Sequence, residues 1–304
     1  MAQLIVVTPN PAVDVTYDVP AYEPGSSVRV SGVSRRPGGK GLNVVRVLRA
    51  LGEPAVAVLP LGGAAGRWVS SAVDAEGLAG EVVAVAGETR TTVAIVDPVG
   101  HPTLFNEPGP ELTAAEGLAV IAAAVKHCEP GSVVVVSGSL PRGIGPAWLG
   151  ELVGAVKAAG ARVAVDTSGP ALVAAAEAGA DLLKPNAQEL LDATGETTLE
   201  GAVSRLQAAG ASIIVVSQGA DGLIAFAPEG TRTRQAAVKG VTGNPTGAGD
   251  AATAGLAQAW ARGEPVQEML RQAAVLGAAA VRQPVAGEVD PKDVEAFREL
   301  LKED

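Results

Sequence analysis

Residues 241–252 read VTGNPTGAGDAA, and the groups in that stretch able to do chemistry are Gly247, Ala248, Gly249 and Asp250. Small side chains at 247–249 let successive backbone N–H groups approach a negatively charged ligand. The Ala-rich run that follows predicts a helix, whose N-terminus adds partial positive charge to the same spot. Asp250 is out of place in such a cradle, because a carboxylate repels an anion. Two readings stand side by side: Asp250 takes up a proton or positions a hydroxyl, or it is the first-turn or N-cap acid that helix starts favour.

Lys184-Pro185-Asn186-Ala187-Gln188-Glu189-Leu190 places Asn186 and Glu189 three apart at a predicted helix start, hence on one face. The pair suits a hard cation such as Mg2+, held through water beside substrate phosphates. The same spacing is that of a capping box, with Asn186 as N-cap. Gly38-Gly39-Lys40-Gly41 resembles an anion loop but lacks the Ser or Thr that a Walker A sequence places after its Lys. Lys40, Arg90 and Arg142 lie in or near Gly-rich or flap segments, either converging on a substrate phosphate or standing as solvated surface cations. Gly247-x-Gly249-x-x-Ala252 also fits the dinucleotide fingerprint, which needs a preceding strand and a following strand ending in an acid about 20 residues on. Here Arg262-Gly263-Glu264-Pro265 and more helix follow, so the dehydrogenase reading fails on context.

Holding these groups together requires a sheet. Residues 4–7 are a short β-branched run that empties into Thr8-Pro9-Asn10-Pro11, a buried first strand. Residues 14–36 alternate small apolar and polar residues (Val13, Val15, Tyr17, Val19, then Val28, Val30, Val33), as do 91–96 and 101–106 around Asp97-Pro98-Val99-Gly100. They predict strands exposed on one face, a flap outside the main sheet. From 113 onward the pattern alternates helix and strand regularly, which points to a parallel sheet covered on both faces. Ligands of such sheets bind beyond the carboxyl ends of the strands. The unusual polar groups fall at those ends: Asn10 and Asp14, Ser137 to Arg142, Asp166, Lys184 to Asn186, Ser217-Gln218-Gly219, and the cradle itself.

Composition narrows the partners. A formal charge of −10 over 304 residues argues against nucleic acid or an anionic membrane. Cys128 is the only cysteine and His101 and His127 the only histidines, which excludes an intrachain disulfide and a recognisable zinc set. Aromatics are 3%, so the core must be filled with small aliphatics that allow close helix-on-sheet packing. No basic n-region opens the sequence and no apolar run is long enough to span a bilayer, so the expectation is a cytoplasmic protein.

Taken together, TPNPAVD, GGKGLNV, SGSLPRG, LLKPNAQEL, VSQGADG and NPTGAGDAATAG, in that order and spread almost end to end, resemble the ribokinase/PfkB carbohydrate kinase family. The similarity is greatest to its sugar-phosphate branch of 1-phosphofructokinase, tagatose-6-phosphate kinase and minor 6-phosphofructokinase. The resemblance implies one three-layer α/β/α domain over residues 1–304, with a mainly parallel central sheet and a small β lid from about 14–36 and 88–107. It implies ATP-dependent phosphorylation of a ketohexose phosphate (tagatose 6-phosphate, or fructose 1- or 6-phosphate) to the bisphosphate, with Mg2+ and, as a further option, a monovalent cation. Carried over by position, Asp250 resembles the base and Gly247, Ala248 and Gly249 the anion hole. Asp14, Gly39 and Asn43 match sugar-binding positions, with Lys40, Arg90, Ser139, Arg142 and, on the lid, Arg29 placed to hold the substrate's phosphate. Lys184, Asn186, Ser217, Gly219 and Gly222 match the nucleotide side, and Asn186 and Glu189 the element that organises Mg2+, through water.

Two departures stand out. Gln218 occupies a position usually Leu in this turn, and Asn244-Pro245-Thr246 leans towards tagatose-6-phosphate kinase. Exposed lid edges make a homodimer through the lid the expected assembly. Two alternatives remain: a kinase of an unphosphorylated sugar or nucleoside, or a non-catalytic sugar or nucleotide sensor on the same fold.

Overall fold

The computed structural model describes residues 2–23, 25–97 and 102–302. The chain opens with β1 (Leu4–Val7), β2 (Ala12–Asp18), β3 (Gly32–Gly38), α1 (Lys40–Ala50), β4 (Ala55–Leu61), α2 (Gly63–Ala75) and β5 (Ala79–Ala84). It continues through β6 (Arg90–Val96), β7 (Thr103–Asn106), α3 (Ala114–Lys126), β8 (Val133–Ser137), α4 (Pro146–Ala158), β9 (Arg162–Asp166) and α5 (Pro170–Glu177). The last part holds β10 (Leu182–Leu183), α6 (Ala187–Thr194), α7 (Leu199–Ala209), β11 (Ile213–Ser217), β12 (Leu223–Phe226), β13 (Arg232–Gln235), α8 (Ala248–Ala261), α9 (Val266–Val281) and α10 (Pro291–Leu300).

The central sheet has the order β13-β12-β11-β10-β9-β8-β1-β4-β5. Strands β11 through β5 in that order are parallel, and only the β12–β13 hairpin adds antiparallel edges. Strand runs such as VVVV at 133–136 bury every residue, as a sheet covered on both faces demands. Alternate residues serve opposite cores: Leu4 and Val6 join α1, α8 and α9 on one face, Ile5 and Val7 join α3, α4 and α5 on the other. These are the three α/β/α layers the sequence implies. Because β4 and β5 extend one side of β1 while β8 takes the other, strand order reverses at β1, which opens a crevice at the carboxyl ends of β1 and β8.

Helix α8 is buried at Asp250 through Ala259, and its small residues make that burial workable. A Cβ on Gly255 would come within 2.8 Å of the Ala273 backbone of α9. A helix buried all round is read from composition rather than amphipathic period.

A second sheet, β3-β2-β6-β7, stands beside the crevice, with β2 and β6 parallel and both edges antiparallel. It uses residues 12–38 and 90–106, close to the flap read from the sequence. Val28 and Val30, expected in strand, lie outside it. The second strand instead runs Gly32–Gly38, pairing Gly38 with Ala12 and Gly32 with Asp18. Pro37 is accommodated because β3 is an edge strand. Residues 98–100 of the turn expected at 97–100, and His101, expected to open the next strand, fall outside the described residues.

Candidate active site

Four residues at matching heights on adjacent parallel strands form a polar floor under the crevice: Thr8 after β1, Ser137 ending β8, Asp166 ending β9 and Lys184 after β10. All follow the parity that faces α1 and α8, and all are 4% exposed or less. β10 stops at Leu183 because Pro185, two residues on, has no N–H for the ladder. Lys184 is left extended, its Nζ 3.2 Å from Asp166 Oδ2.

Asp166 is the hub. Thr253, one turn into α8 from Asp250, donates its hydroxyl to Asp166 Oδ2 (2.8 Å), and Lys40 Nζ, at the start of α1, stands 3.6 Å from Oδ1. Burial alone would raise the Asp166 carboxyl, but Lys184, Lys40 and Thr253 outweigh it and hold it below its ordinary value. Asp166, Glu189 (3.9 Å from Lys40) and Asp250 together raise the Lys40 ammonium against its burial. Thr8 Oγ1, Ser137 Oγ, Asp166 Oδ1 and Asn10 Oδ1 are buried polar atoms without a hydrogen-bond partner, an unusual cluster of unsatisfied groups around the floor of the crevice.

Asp250 sits in the first turn of α8, 7% exposed. Burial first, and the Asp166 charge second, push its carboxyl from 3.8 up to about 7, against the opposing pull of Asn43, Lys40 and Lys184. Asn43 Nδ2 donates to Asp250 Oδ2 at 2.8 Å. The turn that presents the helix start depends on Gly247, left-handed at φ 84°, where a Cβ would lie 2.9 Å from Ala286 Cα. The Ala248 N–H is used by Pro245 O (3.2 Å) and the Ala251 N–H by Gly247 O (2.9 Å). Of the four N–H groups from Gly247 to Asp250 only that of Ala248 is engaged; those of Gly247, Gly249 and Asp250 have no hydrogen-bond partner among the described residues. The unengaged N–H groups thus span the Gly247–Asp250 stretch read from sequence, and the Asp250 side chain makes no capping bond.

Asn186 and Glu189 realise the other open reading in full. Asn186 Oδ1 accepts from the Glu189 N–H (2.8 Å) and Glu189 Oε2 from the Asn186 N–H (2.9 Å), a capping box at the start of α6. Both also line the cleft, and Glu189 Oε1 turns towards Lys40. No group of three metal-ligating side chains exists among the described residues. The donor set therefore fits a divalent ion carried in on phosphate oxygens and touched through water, not a cage built by protein alone.

Two cavities meet at this helix start. One, about 680 Å3, runs from Asp250, Asn186 and Ser217 past Lys40 and Asn43 to the second sheet, where Asp14, Arg36, Arg90, Thr92 and Asn106 line it. Thr92 donates to Asp14 Oδ1 (2.5 Å), and burial raises the half-buried Asp14 carboxyl against that bond and against Arg46, Arg90 and Arg36. The other, about 530 Å3, is bounded by Ser217, Gly219, Gly222, Leu223, Val238, Val241, Gly249, Ala252 and the Ala-rich face of α9. Its walls are small and apolar, suited to a flat aromatic ring. Gln218 leaves that wall intact: its N–H closes the turn on Gly222 O (2.9 Å), and its side chain is not part of the lining.

The expected phosphate cations divide. Arg90 lines the cleft, its Nε and Nη1 held by the Asn10 and Glu107 carbonyls (3.1 and 3.0 Å), and Ser139 lies beside Asn10 Nδ2 (3.4 Å). Lys40 keeps company with Asp166 and Glu189, not with Arg90. Arg142 is exposed, its Nε on Gly109 O (3.3 Å), and neither it nor exposed Arg29 lines the cleft. Sequence reasoning named Asp166 without giving it a role. It passed over Thr253 and Arg36, although Thr253 is signalled by its spacing of three from Asp250 on a buried helix.

Solved structures similar to this one carry the same architecture. Escherichia coli phosphofructokinase-2 in complex with potassium matches with a TM-score of 0.92 at 28% identity, covering 99% of this chain and 100% of that one. The same enzyme in complex with fructose-6-phosphate gives 0.90 at 28% identity, covering 99% and 100%. A Thermotoga maritima protein described as a possible 1-phosphofructokinase gives 0.84 at 25%, covering 98% and 97%. The family model described as pfkB family carbohydrate kinase matches residues 7–293. With the crevice, the helix-start acid and the apolar second cavity arranged as described, the chain belongs to the pfkB family of carbohydrate kinases and is an ATP-dependent sugar kinase.

Proposed function

We propose that this kinase phosphorylates a hydroxyl of a ketohexose phosphate to give the bisphosphate, with Asp250 as base. One observation carries the reading: a buried carboxyl raised to about 7 stands at a helix start where a sugar-sized polar cleft meets an apolar cavity. In that arrangement the sugar hydroxyl lies against Asp250 and attacks the terminal phosphorus of ATP. The bond to the bridging oxygen of ADP breaks, and the hydroxyl proton passes to Asp250. The Gly247, Gly249 and Asp250 N–H groups, with Ala248 shaping the turn, receive the charge on the transferred group, and Lys40 and Lys184 neutralise phosphate oxygens. Asn186 and Glu189 would hold Mg2+ through water, where it would supply further neutralising charge. Ser217, Gly219 and Gly222 bound the nucleotide.

On the sugar side, Asp14, Gly39 and Asn43 orient the acceptor. Arg90 and Ser139 hold its phosphate, with Arg142 from the loop after β8, and Arg29 joins them when the second sheet moves inward. That sheet then acts as a lid on a single kinase domain, excluding water during transfer. Its residues Val33 and Phe105, each half exposed and outside the cleft lining, support a homodimer through the lid, while Leu104 faces the cleft. The acceptor class is supported by the fructose-6-phosphate complex of the Escherichia coli relative. Within the class, Asn244-Pro245-Thr246 favours tagatose 6-phosphate.

The test is a coupled ADP-release assay across fructose 1-phosphate, fructose 6-phosphate, tagatose 6-phosphate, fructose and ribose, with and without potassium. Higher kcat/KM on a ketohexose phosphate than on fructose or ribose is expected. Preference for an unphosphorylated sugar replaces the acceptor assignment, and no turnover on any of them favours a sensor.

A further inference from the structure

Behind the base runs a chain of buried hydrogen bonds that the reaction as derived does not use. Asn43, on α1, donates Nδ2 to Asp250 and accepts at Oδ1 from Arg46 Nη1 (3.3 Å), one turn further along the same helix. Arg46 is 8% exposed. Three of its four other donors are engaged: Nε to Glu76 Oε2 (2.7 Å), Nη2 to Glu76 Oε1 (3.2 Å) and to the Pro37 carbonyl (2.5 Å). A guanidinium held as a fork by a carboxylate has no freedom to rotate. The far side of the Asn43 amide is closed too: a Cβ on Gly287, at φ 79°, would come within 2.7 Å of Asn43 Oδ1.

We propose that Arg46 is a positioning residue for the base: clamped by Glu76 and Pro37, it fixes the Asn43 amide so that the Nδ2 donor, not the oxygen, points at Asp250. The inference rests on Asp250 being the base. An amide free to flip would present an oxygen to a carboxylate, repelling the ionised form that must accept the proton. Held as it is, the amide donates to that form and favours it. The largest charge effects on Asp250 come from Asp166, Lys40 and Lys184, and Arg46→Lys keeps the Arg46 charge, so that variant reads its geometry. Arg46 itself faces Glu76 from α2, Arg36 from β3 and Asp14 from β2. Its effect on the base is geometric and passes through one side chain.

The test is the pH profile of kcat for Arg46→Lys, Arg46→Met, Asn43→Ala and the Asn43→Ala/Arg46→Lys double variant, with Asp250→Asn alongside. Arg46→Lys keeps the charge and loses the fork. Its acid limb is expected to move up by about one pH unit, so that at pH 6 turnover relative to its own alkaline plateau falls about ten-fold. Arg46→Met, which lets the one-third-exposed Glu76 face water, is expected to shift it the same way and serves if the lysine variant does not fold. Asn43→Ala is expected to show that shift already, and adding Arg46→Lys to it no more. Plateau rates lowered with the limb unmoved would reduce Arg46 to a structural residue. An equal further shift in the double variant would mean that it acts without Asn43, and either result overturns the proposal. Full turnover by Asp250→Asn would instead remove the base assignment on which it stands.

Discussion

Replacing Asp250 with asparagine is expected to stabilise the protein while disabling it. The carboxyl is raised from 3.8 to about 7 by burial and by Asp166. At about 1.4 kcal/mol per unit, ionised Asp250 costs the folded state roughly 4 kcal/mol. The folded chain keeps its proton between about pH 4 and 7 where the unfolded chain has lost it. The stability contributed by that proton is therefore present at pH 4 and gone above 7. Asparagine keeps an oxygen for the Asn43 donor, and Lys40 and Lys184 keep Asp166 as their carboxylate. The variant should be about 2–4 kcal/mol more stable than its parent at pH 8, with the gap closing towards pH 4, while turnover drops roughly 100- to 10,000-fold. Urea unfolding at pH 4.5, 6, 7 and 8 (each an experimental setting, about one to two units apart) reads the first effect, and ADP release the second. A variant less stable than its parent at pH 8, or a gap indifferent to pH, refutes the account of the carboxyl's environment; undiminished turnover refutes its role.

Three further outcomes follow from the same geometry. In the parent, kcat/KM should fall below about pH 7 as Asp250 takes up its proton, and a profile flat from about pH 5 to 8 would contradict this. Arg90→Ala should raise KM for a ketohexose phosphate at least ten-fold, about 1.4 kcal/mol, with far less effect on fructose, whereas Arg142→Ala, outside the cleft, should do less. Equal effects on both substrates would remove the phosphate contact. Asp166→Asn strands the buried Lys184 ammonium and should cost about 3–5 kcal/mol at pH 7. Because the Asp166 carboxyl is held below its ordinary value, the stability it contributes is lost as pH falls through the acid range, so the deficit should narrow near pH 3 (roughly the carboxylate range), and melting curves at the two pH values would show whether it does.

The parts of the fold most legible beforehand were those where local chemistry and tertiary demand agree. Fully apolar strand runs, Gly-rich turns and Pro punctuation located the parallel sheet, and polar residues at strand ends located the crevice. The lid's second strand was read too early because Val28 and Val30 have the right residue types, while pairing with β2 is made by Gly32 to Gly38, a register no local pattern encodes. In the site, Asn186 and Glu189 illustrate why spacing left two readings open: the capping box is fully formed, and the same residues still line the cleft. The separation of Lys40 from Arg90 was hidden for a different reason. Both are cations near glycines, and only the three-dimensional position of Asp166 decides which one it attracts. Arg46 was passed over because a basic residue within a helix reads by default as solvated surface, and its burial depends on Glu76, 30 residues away.

The mounting of the two halves of the cleft differs in a way that bears on how such enzymes diversify. The base rides on α8, where Gly255 already touches the α9 backbone and no larger side chain fits. Asp14, Arg36, Arg90, Thr92 and Asn106 instead hang from a four-stranded sheet whose β7 is exposed at every residue. Mutational drift in the outer sheet can retune which acceptor is gripped without disturbing the machinery that transfers the phosphoryl group. If the proposed roles hold, recognition and chemistry are separable except where Asn43 and Pro37 join the two halves. Grafting segments 12–36 and 90–106 between relatives, which leaves the Pro37 carbonyl on Arg46, should move acceptor preference while keeping the acid limb of the profile in place, and a graft that displaces both would show the halves to be bound together.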